Sequence, residues 1–466
     1  MSTYLANAPG IQSFNKETIE KKPVKKFQEA DPYRALKQGI WAYFLLLIFE
    51  GALRKWFLPG LATPLLIIRD PLALWLLVKV WQRDLLPSNI YIVGTITIAT
   101  LGIFTATLIG HGSLPVALFG ARILLLHFPL MFVIGRIFTR EDVIKMGKVT
   151  LWIAIPMTIL TALQFYSPQT AWVNRGVGGD TAGAGFSGAN DFFRPPGTFS
   201  FTNGLTAFYG FVAAYIFFFW FDSKTINKAM LIAATIGLLI AIPLSISRGL
   251  FFQVGVSLAF SILVISRKPQ FLGKLILAIA GMIITLIILS KTSFFQTATG
   301  AFTERFESAN DIEGGLEGVL IDRYLGGMFY ALFGETQTPL FGYGIGMGTN
   351  VGSMLLTGST VFLISEGEWG RLIGELGPLL GIAMIIIRVS FSAKVAMASY
   401  KKLTKGDLLP WMLVSYGIMM VPQSQWAQPT SLGFSTLIGG LMIASLRAAP
   451  STEPNNLQPE ITPTNI

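Results

Sequence analysis

Residues 273–290 read GKLILAIAGMIITLIILS, and this stretch decides the class of fold. It contains one charged side chain, Lys274, in a run that approaches the roughly 20 apolar residues a helix needs to cross a bilayer. Similar stretches recur along the chain. Of its 466 residues 52% are hydrophobic and 13% are charged, whereas soluble domains carry about 25% charged residues. The sequence therefore predicts an all-α membrane protein and excludes a soluble fold.

The apolar runs predict about twelve transmembrane helices. They lie near 39–57, 62–80, 89–110, 114–135, 146–166, 204–221, 229–246, 249–266, 273–290, 372–390, 408–422 and 429–446. The predicted organisation is an N-terminal tail (1–37), helices one to nine (38–290), a large loop (291–371), helices ten to twelve (372–446) and a C-terminal tail (447–466) that is disordered. Apolar runs broken by glycine in the large loop predict short amphipathic helices on the bilayer surface.

The basic residues predict the orientation. If the N-terminus is cytoplasmic, most of the 35 Lys and Arg residues, Arg388 among them, lie on the cytoplasmic side, as the positive-inside rule requires. Both termini are then cytoplasmic, and the 291–371 loop is external. Residues 1–37 lack the apolar core of a signal peptide, so the tail is predicted to be retained in the cytosol. The basic character is explained by topology, and no nucleic-acid partner is predicted.

Cysteine is absent, and the two histidines are His111 and His127. Thiolate metal sites, iron–sulfur clusters and cysteine nucleophiles are thereby excluded, and neither a metal nor another cofactor is predicted. Both histidines are expected to be structural. The glycine-rich run GYGIGMG at 342–348 has no βα unit around it, so it does not predict a dinucleotide site.

Arginine outnumbers lysine among the basic residues predicted to lie outside. Guanidinium groups bind phosphate oxygens in pairs and stay charged when desolvated, so this pattern suits a phosphate or pyrophosphate at the membrane surface. The alternative is that these arginines pair with external carboxylates or reach lipid headgroups. The predicted pyrophosphate-binding residues are Arg122, Arg194, Arg248, Arg323 and Arg371.

Four short motifs occur in a fixed order between about Gly120 and Gly381. They are RPPGTF at 194–199, SRG at 247–249, PLFGYGIG at 339–346 and ELGPLLG at 375–381. In this order, and with this number of spans, the chain resembles the O-antigen ligase and O-antigen polymerase superfamily of bacterial membrane glycosyltransferases. Each motif is weak alone, and the combination points to the superfamily rather than to one member.

The resemblance implies an enzyme of the bacterial inner membrane that works on its outer face. Such an enzyme takes a saccharide from an undecaprenyl-pyrophosphate carrier and joins it to a glycan or lipid acceptor in O-antigen, exopolysaccharide or related surface-glycan assembly, without a metal. Ligases of the superfamily place a histidine before the ELG segment. This chain has Glu366 and Glu368 there, which favours a polymerase-like or divergent member.

Glu366 and Glu368 are the candidate catalytic residues, as general base for an acceptor hydroxyl, a role worth about 10² to 10⁴ in rate. Residues two apart on a helix point about 200° away from each other, so one of the two is expected to face the site. In the alternative interpretation, Glu368, Arg371 and Glu375 form a structural salt-bridge stripe.

Two further interpretations concern other charges and other functions. Asp70, inside an apolar run, is predicted to pair with Arg69 or Arg54. A transporter or lipid flippase without chemistry is the rival function class. It is disfavoured because the halves of the chain show no self-similarity and the charges are predicted at the outer edge rather than at a midplane site. A peptidoglycan-type glycan polymerase would share the lipid-linked donor.

Overall fold

The computed structural model describes residues 31–313, 325–334 and 338–447. Within these ranges nearly every element is a helix, and one antiparallel hairpin is the only sheet. The all-α class predicted from composition is confirmed. Most of both predicted tails, together with Arg323, lies outside the described residues.

The helices have the following bounds. They are α1 (Arg34–Ala52), α2 (Ala62–Leu65), α3 (Arg69–Trp81), α4 (Ile90–Leu108), α5 (Leu114–Arg122), α6 (Phe128–Ile137), α7 (Arg140–Tyr166), α8 (Thr202–Phe221), α9 (Lys228–Leu244), α10 (Arg248–Arg267), α11 (Leu272–Leu289), α12 (Ser293–Glu313), α13 (Gly327–Phe333), α14 (Asn350–Thr357), α15 (Glu368–Thr404), α16 (Leu409–Gln423) and α17 (Pro429–Ser445). Turns of π-helix follow α1 at Leu53–Phe57 and join α5 to α6 at Ile123–His127, and strands β1 (Phe186–Ala189) and β2 (Phe192–Arg194) form the hairpin.

Polar side chains at the borders of the apolar runs set several helix starts. Asn89, Ser247 and Thr349 each accept a backbone N–H from the first turn of the helix that follows. Thr139 and Asp142 form a reciprocal capping box at the start of α7. These caps satisfy N–H groups that have no acceptor within the helix, and the side chains that provide them can be read from the sequence.

Every predicted span overlaps a helix. Nine segments of the described chain are long and apolar enough to cross a membrane. The helices α9, α16 and α17 are shorter, at 17, 15 and 17 residues. A multi-pass membrane protein is supported, and the number of twelve crossings remains a prediction.

Helix α8 lies at the centre of the bundle and packs against α7, α9, α10, α16 and α17. Its apolar window is 89% buried, whereas that of the Pro269–Leu289 segment is 11% buried. A helix that is apolar on all sides is either enclosed by other helices or faces lipid. Here α8 is the enclosed case, and α11 is the exposed one.

The connecting segments gather at two ends of the bundle. At one end the Lys55 Nζ donates to the carbonyl of Gly197 over 2.7 Å. At the other, Arg140 forms an ion pair with Asp407 at 2.8 Å. Each contact joins two segments that the basic-residue pattern places on the same side of the membrane. The end of the bundle that carries residues 167–201 is called the loop end below.

Helix α15 reverses direction at Gly377, whose φ of 79° and ψ of 168° are not helical. A Cβ added to Gly381 would lie 2.7 Å from the Cα of Ile373, so the parts before and after Gly377 pack against each other. The predicted span at 372–390 includes this reversal, so its continuous helical part begins at Pro378. The continuous helix after it covers residues 378–404, about 40 Å at 1.5 Å per residue.

The PLFGYGIG segment braces this reversal through its backbone. Pro378 has no N–H to donate to the preceding turn. Instead, the N–H of Tyr343 donates to the carbonyl of Gly374 at 2.7 Å, and the N–H of Gly344 donates to the carbonyl of Glu375 at 3.0 Å. A side chain at Gly342 would meet the backbone of Glu375 at 2.5 Å. The glycines therefore serve close backbone packing.

Candidate functional site

The reversal of α15 brings four buried charged residues together, called here the Glu368 cluster: Glu368, Arg371, Glu375 and Arg388. Arg371 donates from Nε and Nη2 to Glu368 at 3.0 and 2.8 Å, and from Nη1 to Glu375 at 2.6 Å. Arg388 Nη1 donates to Glu368 Oε1 at 2.6 Å. Two carboxylates face two guanidinium groups, so the cluster is electrically balanced.

Glu368 is fully enclosed within this cluster, and its side chain is 0% exposed. Its carboxylate accepts three hydrogen bonds from the two arginines and a fourth from the backbone N–H of Trp426 at 3.0 Å. The structure thus forms the salt-bridge stripe of Glu368, Arg371 and Glu375 that the sequence offered as an alternative. Arg371 is likewise bound to carboxylates through all three of its nitrogens.

Arg388 holds the turn between α16 and α17. Its Nε donates to the carbonyl of Val421 at 2.8 Å, and its guanidinium stacks 3.9 Å from the ring centre of Trp426. Arg388, which the sequence analysis placed among the basic residues of the cytoplasmic side, is thus buried inside the bundle. The apolar sequence around it resembles the end of a span, but the folded-back start of α15 supplies a buried carboxylate as its partner.

A second group of charges, called here the Asp70 cluster, comprises Glu50, Arg69, Asp70, Arg122 and His127. Arg69 Nε donates to Glu50 at 3.0 Å, while Asp70 accepts from Arg122 Nη1 and from His127 Nε2, each at 2.9 Å. The predicted pairing of Asp70 with Arg69 is wrong, because adjacent helical residues point about 100° apart.

Arg54 is the other partner that had been predicted for Asp70. Its Nη1 lies 3.6 Å from Glu50 and 2.9 Å from the Ser200 hydroxyl. Around these two carboxylates, Glu50 and Asp70, there are therefore three guanidinium groups. Each guanidinium has a carboxylate within 4 Å, but three positive charges share two negative ones, and surplus buried charge is costly unless a ligand neutralises it.

Arg122 has unused hydrogen-bonding capacity. Only Nη1 contacts Asp70, reaching both carboxylate oxygens at 2.9 Å, and the buried Nε has no hydrogen-bond partner within the described residues. The guanidinium packs 4.0 Å from the ring centre of Phe119. A guanidinium carries five N–H donors in a planar fork, so the contacts with Asp70 leave part of the donor capacity of Arg122 unused.

The RPPGTF segment is held tightly at the loop end. The carbonyl of Gly197 accepts from Lys55 Nζ at 2.7 Å and from Gln164 Nε2 at 3.1 Å, and the Thr198 hydroxyl donates to the carbonyl of Ile48 at 2.6 Å. Lys55 is 1% exposed. This motif therefore fixes the segment that follows Arg194 against α1 and α7.

The predicted pyrophosphate-binding arginines occupy different settings. Arg194 ends β2 and Arg248 begins α10, and both are half-buried. Arg122 and Arg371 belong to the two buried clusters, and Arg323 lies outside the described residues. The structure thus places Arg122 and Arg371 among carboxylates rather than on an open rim, and their binding of pyrophosphate remains a prediction.

A shallow cleft with a volume of about 10 Å³ lies beside the Glu368 cluster. Its wall includes Gly348, Asn350, Phe362, Ser365, Glu366, Gln425 and Gln428. Glu366 is exposed, and only its backbone carbonyl is engaged, by Gln425 Nε2 at 2.7 Å. Its carboxylate forms no hydrogen bond with the part of the chain that the structure describes. Of the two candidate bases, Glu366 is the one that a substrate can reach.

The amides of this cleft were not identified from the sequence. They include Gln425 and Gln428 in the turn SQWAQ at 424–428, and Gln428 Oε1 accepts from Nδ2 of Asn203, at the start of α8, at 3.1 Å. The turn interrupts two apolar runs with three polar side chains in five residues, which is the signal that could have pointed to it.

The fold and these clusters define a multi-helix membrane protein with buried ion pairs and a polar cleft at the start of a folded-back helix. Intramembrane charges of this kind mark functional sites by default. No protein-family model, curated protein or solved structure matches the chain.

Proposed function

We propose that this protein transfers or polymerises an undecaprenyl-pyrophosphate-linked saccharide on the outer face of the bacterial inner membrane, in the assembly of a surface glycan. The observation that carries the proposal is the juxtaposition of an accessible carboxylate, Glu366, with buried arginines at the end of a folded-back helix. Lipid pyrophosphate is a good leaving group, and arginines can neutralise its charge without a metal.

Arg122 is the strongest candidate for contact with the carrier pyrophosphate. It is nine-tenths buried, has an unused Nε and belongs to the Asp70 cluster, where the neighbouring Arg54 adds a third guanidinium to two carboxylates. Arg194, Arg248 and Arg323 would contribute from the loop end, as the resemblance implies. Arg371 would act indirectly, by holding Glu368 and Glu375 and with them the floor of the cleft.

Glu366 is proposed as the general base, and Glu368 as a residue that positions the segment. The acceptor hydroxyl oxygen forms a bond to the anomeric carbon of the donor sugar, and the bond from that carbon to the pyrophosphate oxygen breaks. The pyrophosphate leaves with the electron pair, and the hydroxyl proton passes to the Glu366 carboxylate.

The test is a reaction with purified protein in lipid nanodiscs and an undecaprenyl-pyrophosphate oligosaccharide. Growth of the glycan together with release of undecaprenyl pyrophosphate is the expected result. An intact donor in every condition, with and without acceptor, would contradict the proposal.

A lipid-linked glycan flippase is the second candidate, and the structure favours it more than the sequence did. Glu368 lies beside Arg388, ten residues beyond Pro378, which places the Glu368 cluster about 15 Å along the helix from the reversal. Buried charges and interrupted helices at depth are typical of transporters. In proteoliposomes, movement of intact donor between leaflets would identify this activity.

A further inference from the structure

The cleft beside Glu366 offers hydrogen-bonding groups that are mostly uncharged. Glu368 and Arg371 border it but are bonded to each other, so Glu366 is the one charge on its wall that the described residues leave free. The remaining polar groups come from Asn350, Ser365 and Gln428. An array of amides and hydroxyls with a single carboxylate does not suit a phosphate or another anion.

The free atoms of this array include both donors and acceptors. Gln428 accepts through Oε1 from Asn203 Nδ2, which leaves Gln428 Nε2 as a donor. Asn350 is exposed, and its side chain makes no hydrogen bond within the described ranges. Sugar hydroxyls both donate and accept, and an amide can bind two neighbouring hydroxyls at once.

An aromatic ring completes the cleft. Phe362 lines it with 59% of the residue exposed, which is costly in water unless the ring has a partner. The C–H face of a pyranose is apolar and packs against such rings, while the sugar hydroxyls turn to the polar wall.

The turn that carries the amides is rigidly held. Arg388 donates to the carbonyls of Val421 and Ser424, and Arg69 Nη2 donates to the carbonyl of Pro429 at 2.7 Å. The Glu368 cluster therefore forms hydrogen bonds at one end of the 424–428 turn, and the Asp70 cluster does so at the other end. Fixed backbone supports give the side chains of the turn a defined geometry before any ligand arrives.

We propose that Asn350, Phe362 and Gln428, which border the shallow cleft, form an open surface subsite for the uncharged sugar residues of the acceptor glycan, next to Glu366. That the bound glycan is the acceptor of a transfer reaction rests on the proposed function. Binding of a saccharide at this subsite does not, because it needs no turnover. A uronic acid in this subsite is disfavoured, because its carboxylate would face Glu366.

The test is isothermal titration of the full chain in nanodiscs, prepared without glycoside detergents because these would compete for the cleft. The probes are neutral hexasaccharides of glucose, galactose and mannose, and a uronic-acid hexasaccharide of the same length. At least one neutral probe is expected to bind saturably and at least fivefold more tightly than the uronic-acid probe.

Three variants separate this subsite from unspecific binding. Asn350→Ala and Gln428→Ala should each weaken the neutral probe at least fivefold, whereas Gln82→Ala, an exposed amide at the opposite end, should leave it unchanged. Asn350 makes no side-chain contact on which folding depends, so its variant remains informative if Gln428→Ala folds poorly. No binding of any neutral probe, tighter binding of the uronic-acid probe, or equal effects in all three variants overturns the proposal.

The outcome also distinguishes the two proposals. Glycan growth whose dependence on acceptor concentration is unchanged in Asn350→Ala would reject the subsite and keep the transferase. Saturable, variant-sensitive binding of a neutral hexasaccharide without release of undecaprenyl pyrophosphate would keep the subsite and reject the transferase.

Discussion

Arg388 and Glu368 are twenty residues apart in the sequence, yet Nη1 of the arginine lies 2.6 Å from Oε1 of the glutamate. In a straight helix the same separation would span about 30 Å. The contact exists because the chain turns back at Gly377, and it places a carboxylate inside the bundle where an arginine would otherwise be buried without a partner. This ion pair is therefore central to the stability of the folded-back segment.

Replacing Arg388 by alanine should lower the free energy of unfolding by about 3 to 5 kcal/mol, since it leaves Glu368 with one guanidinium in place of two and removes the bonds to Val421 and Ser424. Thermal unfolding of the purified protein measures the effect. Arg34→Ala, at an exposed position on α1, is the matched control and should change little. Equal stability of the two variants would show that the Glu368 cluster contributes nothing.

Gly377→Ala should destabilise the protein by about 2 kcal/mol or more, because φ is positive there and the new Cβ would lie 2.0 Å from the carbonyl oxygen of Leu340. The control is Gly281→Ala in α11, where a Cβ meets nothing within 4 Å. That substitution should be neutral or slightly stabilising. The comparison is made by thermal unfolding in the same nanodiscs, and a Gly377→Ala variant as stable as the control would argue against the reversal.

Glu366→Gln should reduce glycan transfer at least tenfold while thermal stability stays near that of the parent, since the exposed side chain has no partner in the described structure. Glu368→Gln should instead lower stability, because it weakens four hydrogen bonds. Glu307→Gln, also exposed, serves as the control. Normal turnover in Glu366→Gln would remove this residue as the base.

Arg122→Lys should raise the donor concentration needed for half-maximal transfer, because lysine keeps the charge and loses the planar fork. Arg194→Lys, Arg248→Lys and Arg323→Lys are expected to lower transfer without loss of expression. Arg267→Lys, at the opposite end of the bundle, provides the control. Unaltered transfer in all four test variants would reduce these arginines to structural or surface charges.

The orientation is tested with single cysteines in a chain that has none of its own. Ser359→Cys lies in the connection after α14, which is predicted to lie outside, and Ser266→Cys lies in the last turn of α10, at the end predicted to lie inside; both positions are exposed. An impermeant thiol reagent applied to cells with a permeabilised outer membrane should label the first and not the second. Labelling of the second position alone would invert the topology.

The parts of the fold that depend on local sequence were predictable. Apolar runs such as 204–221 and 273–290 coincide with helices, because a helix satisfies its own backbone within the segment and needs no information from distant residues. The RPPGTF and PLFGYGIG segments were recognised as motifs from their residues alone, through the resemblance to a superfamily. Their roles in packing were not evident, since the backbone groups they contact belong to other helices.

By itself the sequence determined an all-helical membrane protein, the positions of its apolar helices and the set of charges that must be neutralised. Only the tertiary structure decided which charges meet. Glu50 pairs with Arg69, Asp70 with Arg122 and His127, and Glu368 with Arg388. These pairs form because the crossing of α1, α3 and α5 and the reversal at Gly377 bring distant side chains within hydrogen-bonding distance. Pairing between segments depends on three-dimensional distance, which local periodicity does not encode.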